Sequence, residues 1–249
     1  MTPSPQEGAP VARPSPSREV SSWGSSTLQV GVTDCYVSVS PTSYPTTRGN
    51  LGGVYGVYTY QAPDNLYAGL RAVWSQGTTH GHGTSRSILN LLLEERIGYT
   101  WSGMQRESML SLFSGFGGRS LRELVKVHPS SVTFDYLEWY FPVGVSWIYR
   151  PYSWLAVGVL GEWMAQIYPT VRIAPLHGAR WILNTDLLNF LLQFPIGFVF
   201  SGLSFTVEPF LELWNDGHVS AETQDGIILH VPGNRYFFAG LNLNLGVSF

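Results

Sequence analysis

The sequence predicts an all-β chain: a transmembrane, antiparallel, up-and-down β-barrel of about ten strands, with eight as the smaller count. Three observations predict it. Apolar residues alternate with small or polar ones along most of the chain, the period of a strand with one greasy face. Charged residues make up only 12% of the 249, against 44% hydrophobic and 14% aromatic. Short turns alternate with longer polar loops from one end of the chain to the other. No stretch suits a spanning helix, which needs about 20 apolar residues. The nearest, 182–203, contains Asn184, Asp186, Asn189, Gln193 and Pro195. Low charge with alternation suits a barrel, because only half of each strand meets lipid.

Residues 1–26 are rich in Pro and Ser and poor in apolar residues. They are expected to be disordered, leaving 27–249 for the barrel. The first strand, 27–40, places Val30, Val32 and Tyr36 on one parity, with Asp34 interrupting it; a short or bulged strand is expected. After a loop at 41–48 comes a hairpin, 51–60 with 66–77, turned at Pro63-Asp64-Asn65. Its second arm puts Leu66, Ala68, Leu70, Ala72 and Trp74 on one face and Tyr67, Gly69, Arg71 and Ser75 on the other.

A polar loop is expected at 78–86, then strands 87–101 and 108–117. Leu89, Leu91, Leu93, Ile97, Tyr99 and Trp101 share a face, opposite Asn90, Glu94, Arg96, Gly98 and Thr100. Glu95 falls among the apolar residues, so a bulge or a rim position is expected there; the string 87–96 would also suit a helix. Residues 118–131 read as a loop, with room for one helical turn. The third pair is 132–149 and 153–168, turned at 150–152. The fourth is 187–200 and 203–214, turned at Ser201-Gly202, after a loop at 169–186. Residues 215–235 form a last loop before the closing strand.

That strand, 236–249, reads YFFAGLNLNLGVSF. Leu241, Leu243, Leu245, Val247 and the terminal Phe249 lie on one parity. Small or polar residues lie on the other. The pattern resembles the C-terminal strand of bacterial outer-membrane β-barrels, with a size similar to the small OmpA-type and omptin-type barrels. The resemblance implies a bacterial outer-membrane location and a lipid bilayer as partner. It also implies recognition of the closing strand by the barrel-insertion machinery. It places both termini and the short turns in the periplasm. A soluble β-sandwich and a lipocalin-like carrier are the competing folds. The first twenty residues show no apolar core of a secretion signal. A barrel of this kind is made with one, so the natural start is expected upstream or the segment is a processed one.

The inward parity collects Arg71, Glu94, Arg96, Glu138, Glu162, Glu208 and Glu212. Buried charges must pair or meet water. They are expected to fill a narrow polar lumen, or to line a small pore for ions or solutes that favours cations. Trp74, Trp101, Trp139, Trp147, Trp163 and Trp214 lie toward strand ends, where amphipathic rings prefer the headgroup zone; Trp154 and Tyr236 are read the same way. The expected role is structural, at the cell surface, or pore-forming. The alternative is a rim enzyme, a protease or lipid-modifying one, with Asp216 and His218 at the extracellular edge. Omptin proteases carry such an Asp-x-His pair, but also an Asp-x-Asp pair that this chain lacks.

All six histidines (His80, His82, His128, His177, His218 and His230) fall in or beside predicted outer loops. His80-Gly81-His82 alone is a weak metal signal. No metal or cofactor is expected. The single Cys35 excludes an internal disulfide, and a net charge of −3 gives no nucleic-acid patch.

Overall fold

A computed structural model describes residues 25–103, 107–174, 180–185, 189–222 and 228–249. The described residues are strands and connections, with no helix among them. The expected disordered segment lies outside them except for Ser25 and Ser26, which open β1.

Seven consecutive strands form most of the wall: β1 (Ser25–Pro41), β2 (Thr47–Gln61), β3 (Asn65–Gly81), β4 (Thr84–Ser102), β5 (Ser108–Val127), β6 (Ser130–Tyr152) and β7 (Leu155–Gln166). Two short strands, β8 (Thr170–Ala174) and β9 (Trp181–Ile182), extend the sheet from the outer half of β6. The eighth stave is split into β10 (Phe190–Gln193) and β11 (Ile196–Phe200). Pro195 supplies no N–H there. The ladder still holds register, with Phe194 N–H donating to the Pro209 carbonyl at 2.9 Å and Gly158 N–H to the Pro195 carbonyl at 2.9 Å. The ninth stave is β12 (Leu203–Asp216) and the tenth β15 (Asn234–Ser248); between them lies the hairpin of β13 (Val219–Glu222) and β14 (Ile228–Val231).

Every stave pairs antiparallel with its neighbours, and β15 pairs with β1, closing a barrel of 10 strands. Closure reaches the last residue: Phe249 N–H bonds the Ser26 carbonyl, and Ser26 N–H the Phe249 carbonyl, each at 3.0 Å. Closure removes the edge that a terminal apolar strand would otherwise expose.

β1 is a 17-residue strand whose register with β2 and β15 is continuous, so the expected short or bulged strand is corrected. β4 is likewise regular through Glu95, with no bulge and no helix. The expected loop at 78–86 shrinks to His82-Gly83, with φ of 47° and 75°. That left-handed pair suits the twist of a hairpin. The expected loop at 118–131 shrinks to His128-Pro129. These segments looked like loops because they are polar on their outward face. Lipid imposes the apolar alternation, and above the lipid a strand keeps its ladder without it.

Apolar side chains cover the outside in one belt. Its outer edge runs through Trp74, Leu91, Trp139, Trp163, Phe190 and Phe237, and its lower edge through Leu66, Trp101, Leu110, Trp147, Phe200, Leu203 and Phe249, all exposed. The belt spans about ten residues per stave, which at the usual tilt is about 25 Å, the height of a bilayer core. Beyond its outer edge the wall of β3–β6 continues, with polar outward residues such as the exposed ion pair Arg122–Asp135.

Candidate functional site: the charged lumen

The strand period sends every second side chain inward. Among the described residues, seven carboxyl groups and four guanidinium groups are buried there: Glu94, Glu123, Glu138, Glu162, Glu208, Glu212 and Asp216, with Arg71, Arg86, Arg96 and Arg119. Arg86, Arg119 and Glu123 are absent from the sequence-based set because their segments read as loops. Their signal was the alternation of Arg119, Leu121 and Glu123 with Ser120 and Arg122, which continues the parity of β5.

Glu94 on β4 is the hub of the middle lumen, with no exposure at all. It accepts hydrogen bonds from Arg96 Nε and, at 2.8 Å, from the Tyr140 hydroxyl on β6. Arg71 on β3 stands 3.9 Å from it and reaches Glu212 on β12 at 3.5 Å. Arg96 also pairs with Glu162 on β7 at 2.7 Å, its guanidinium 5.0 Å from the Phe113 ring. Links from β3 to β12 and from β4 to β7 cross the bore. Among the described residues no guanidinium forms an ion pair with Glu208; Gln193 and Asn242 amides donate to it at 2.7 and 2.8 Å.

A second cluster fills the lumen at and above the belt's outer edge. Arg119 donates to Asn90 at 2.9 Å, lies 3.8 Å from Glu138, and sits 4.6 Å from the Trp214 ring. Arg86 pairs with Glu123 at 2.9 Å. Asp216 is buried beside this cluster. Trp214 and Tyr236 have no exposure, so the expected interfacial role of both is corrected. On β12 and β15 the outward parity is odd, as Leu211, Leu213 and Phe237 show, and both rings therefore point in. The other expected interfacial tryptophans (Trp74, Trp101, Trp139, Trp147, Trp154 and Trp163) are exposed on the belt.

The terminal end of the lumen is different. A cavity of about 380 Å³ opens there, bordered by Thr59, Gln61, Ser146, Ala156, Gly197 and Ser204 among others. Small inward residues create it: a Cβ at Gly197 would meet nothing nearer than Thr206 Oγ1 at 3.5 Å.

At the outer rim, Asp216 ends β12 inside the wall, while His218, two residues on, is exposed with its ring 3.1 Å from the Asn184 amide. The pair expected for a rim enzyme is thus divided between lumen and surface. His80, His82, His128 and His230 are exposed, and His177 lies outside the described residues. No group of three or more metal-binding side chains occurs among the described residues. Cys35 is buried and unpaired.

No protein-family model matches the sequence, and no curated protein matches it. The fold is similar to that of the outer membrane protease OmpT from Escherichia coli, with a TM-score of 0.64 at 10% identity, covering 92% of this chain and 98% of that one. The translocator domain of the autotransporter NalP from Neisseria meningitidis gives 0.47 at 10% identity, covering 93% and 90%.

A closed wall, an apolar belt of bilayer height and a polar interior define the class: a bacterial outer-membrane β-barrel, with a lipid bilayer as its solvent and the outer membrane as its location. Within that class this is a narrow ten-stranded barrel whose charged interior occupies most of its bore.

Proposed function

We propose that the chain is a structural, surface-exposed barrel whose lumen is closed to solutes. The observation that carries this reading is the crossed ion-pair layer in the middle of the bore, Arg71 to Glu212 and Arg96 to Glu162, joined through Glu94. Buried pairs of this kind hold only while each charge keeps its partners, so the layer acts as a fixed plug. The cavity at the terminal end is then a periplasmic vestibule that small ions or solutes enter and leave by the same mouth. The tall polar wall of β3–β6 is the part offered to the cell's surroundings.

Planar-bilayer recording tests the plug. The full chain should give no steady conductance, whereas the Arg71→Ser, Glu94→Ser, Arg96→Ser triple variant should give one. Steady conductance from the unaltered chain would favour the small-pore reading instead. Burial of Asp216 away from His218 supports a role without catalysis; specific cleavage of a peptide or lipid that is lost in Asp216→Asn would overturn that. Leu241, Leu243, Leu245, Val247 and Phe249 present the face that the insertion machinery would read. Deleting Phe249 should lower the assembled, heat-modifiable fraction in cells while spontaneous refolding into micelles persists.

A further inference from the structure

The cavity at the terminal end carries a charge at each of its two ends and a neutral polar wall between them. Glu208 lies at its floor, on β12, five residues inside the belt's lower edge residue Leu203. At the usual strand tilt that is a depth of about 12 Å. Gln193 and Asn242 both donate to one oxygen of this group, Oε1. Arg96 also borders the cavity, but Glu94 and Glu162 hold it. In the middle of the bore two guanidiniums, Arg71 and Arg96, face four carboxyl groups, Glu94, Glu162, Glu208 and Glu212. The excess of acid therefore falls where the cavity begins. A buried carboxylate calls for a cation or further donors, and the cavity leads from this one to the terminal mouth.

The mouth has the opposite sign. Arg150, near the end of β6 and three residues beyond the edge residue Trp147, borders the cavity and is exposed. It forms no ion pair among the described residues. Its backbone N–H bonds the Glu107 carbonyl at 2.7 Å, which fixes the base of the side chain. Between the two charges the wall carries the hydroxyls of Thr59, Ser146 and Ser204. Ser204 is 7% exposed, and its Oγ has no hydrogen-bond partner among the described residues.

Given a lumen closed by the ion-pair layer, as read above, we propose that this cavity binds a short zwitterionic peptide, amino terminus first. Its ammonium group meets Glu208 and its terminal carboxylate meets Arg150. Opposite charges at the two ends select a molecule that is cationic at one end and anionic at the other. Depth sets the length: an extended chain covers at most about 3.3–3.6 Å per residue, so about three residues fit. The wall hydroxyls bond peptide N–H and C=O groups whatever the side chains, and Ser204 Oγ gains the partner it lacks. A volume of about 380 Å³ lies in the range of small-ligand sites. A metal ion suits the floor less well, because it takes several protein ligands and no group of three or more metal-binding side chains occurs among the described residues.

Isothermal titration calorimetry of the folded full chain in non-ionic micelles tests the proposal, with heat-modifiability on detergent gels reporting barrel folding. The unaltered chain should bind triglycine saturably. N-acetyl-triglycine, which lacks the ammonium group, should bind at least about tenfold more weakly. Triglycine amide, which lacks the carboxylate, should bind about threefold more weakly, since its contact with Arg150 is exposed to water. Glu208→Gln should erase the acetyl penalty, and Arg150→Gln should erase the amide penalty; a merely structural role for either residue would lower all three peptides alike. No saturable binding of triglycine would overturn the proposal. So would equal affinity for triglycine and its N-acetyl form, a comparison that needs no variant to fold, or an acetyl penalty that survives Glu208→Gln. Steady conductance from the unaltered chain bears on the plug alone, and peptide binding in micelles, where no current is read, bears on the cavity alone.

Discussion

The two ends of the lumen are built by the same staves with the same parity, and they differ completely. In the middle and outer parts, Arg71, Glu94, Arg96, Arg119, Tyr140 and Trp214 reach across and meet. At the terminal end the inward positions carry Ala156, Gly197, Ser146 and Ser204, and a cavity remains. Alternation decides which side chains point inward. Their length decides whether a ten-stranded wall encloses a plug or a chamber.

The largest break in that comparison should come from Glu94→Leu. It strips Arg71 and Arg96 of a shared partner, leaves each with a single carboxylate (Glu212 and Glu162) and leaves the Tyr140 hydroxyl without its acceptor, at a cost of about 3 kcal/mol. Urea unfolding in lipid vesicles would show it as a lower midpoint. A change on the lipid side comes next: Leu243→Arg, about midway down the belt on β15, should cost about 2–4 kcal/mol by the same measurement. Equal and mild effects from these two would mean that the inward and outward faces are misassigned.

Filling the chamber should do far less. Gly197→Ala places its Cβ in ordinary van der Waals contact, 3.5 Å from the nearest atom, and should change stability by under about 0.5 kcal/mol. A loss comparable to that of Glu94→Leu would show that the terminal end is packed like the rest. Similarly small should be the effect of Arg122→Ala on the outer wall. It removes an ion pair whose guanidinium is 62% exposed, a contact worth at most about 1 kcal/mol and weaker in high salt.

Legibility followed the lipid. Between the belt's edges, residues such as Leu91, Leu93 and Ile97 against Glu94 and Arg96 announced both faces, because a one-residue slip would bury charge in hydrocarbon. Above the edge nothing enforces that contrast. Thr78 to Arg86 and Gly118 to Ser131 looked like loops for that reason, and Arg86, Arg119 and Glu123 went with them. Trp214 shows a related limit. An aromatic residue near a strand end suggests the interface, yet its parity with Glu208 and Glu212 sends it inward. Glu95 is the opposite case: the alternation marked it as an outward acid, and only the unbroken ladder showed that neither bulge nor rim relieves it.

By itself the sequence determined the barrel class, the belt and the inward placement of Arg71, Glu94, Arg96, Glu138, Glu162, Glu208 and Glu212, because a period of two and the cost of charge in lipid act locally along one strand. Which charges meet was decided only in three dimensions. Arg96 finds Glu162, and Arg71 finds Glu212, through the stagger and closure of ten staves. Those contacts join residues far apart in the chain, and no local pattern encodes them.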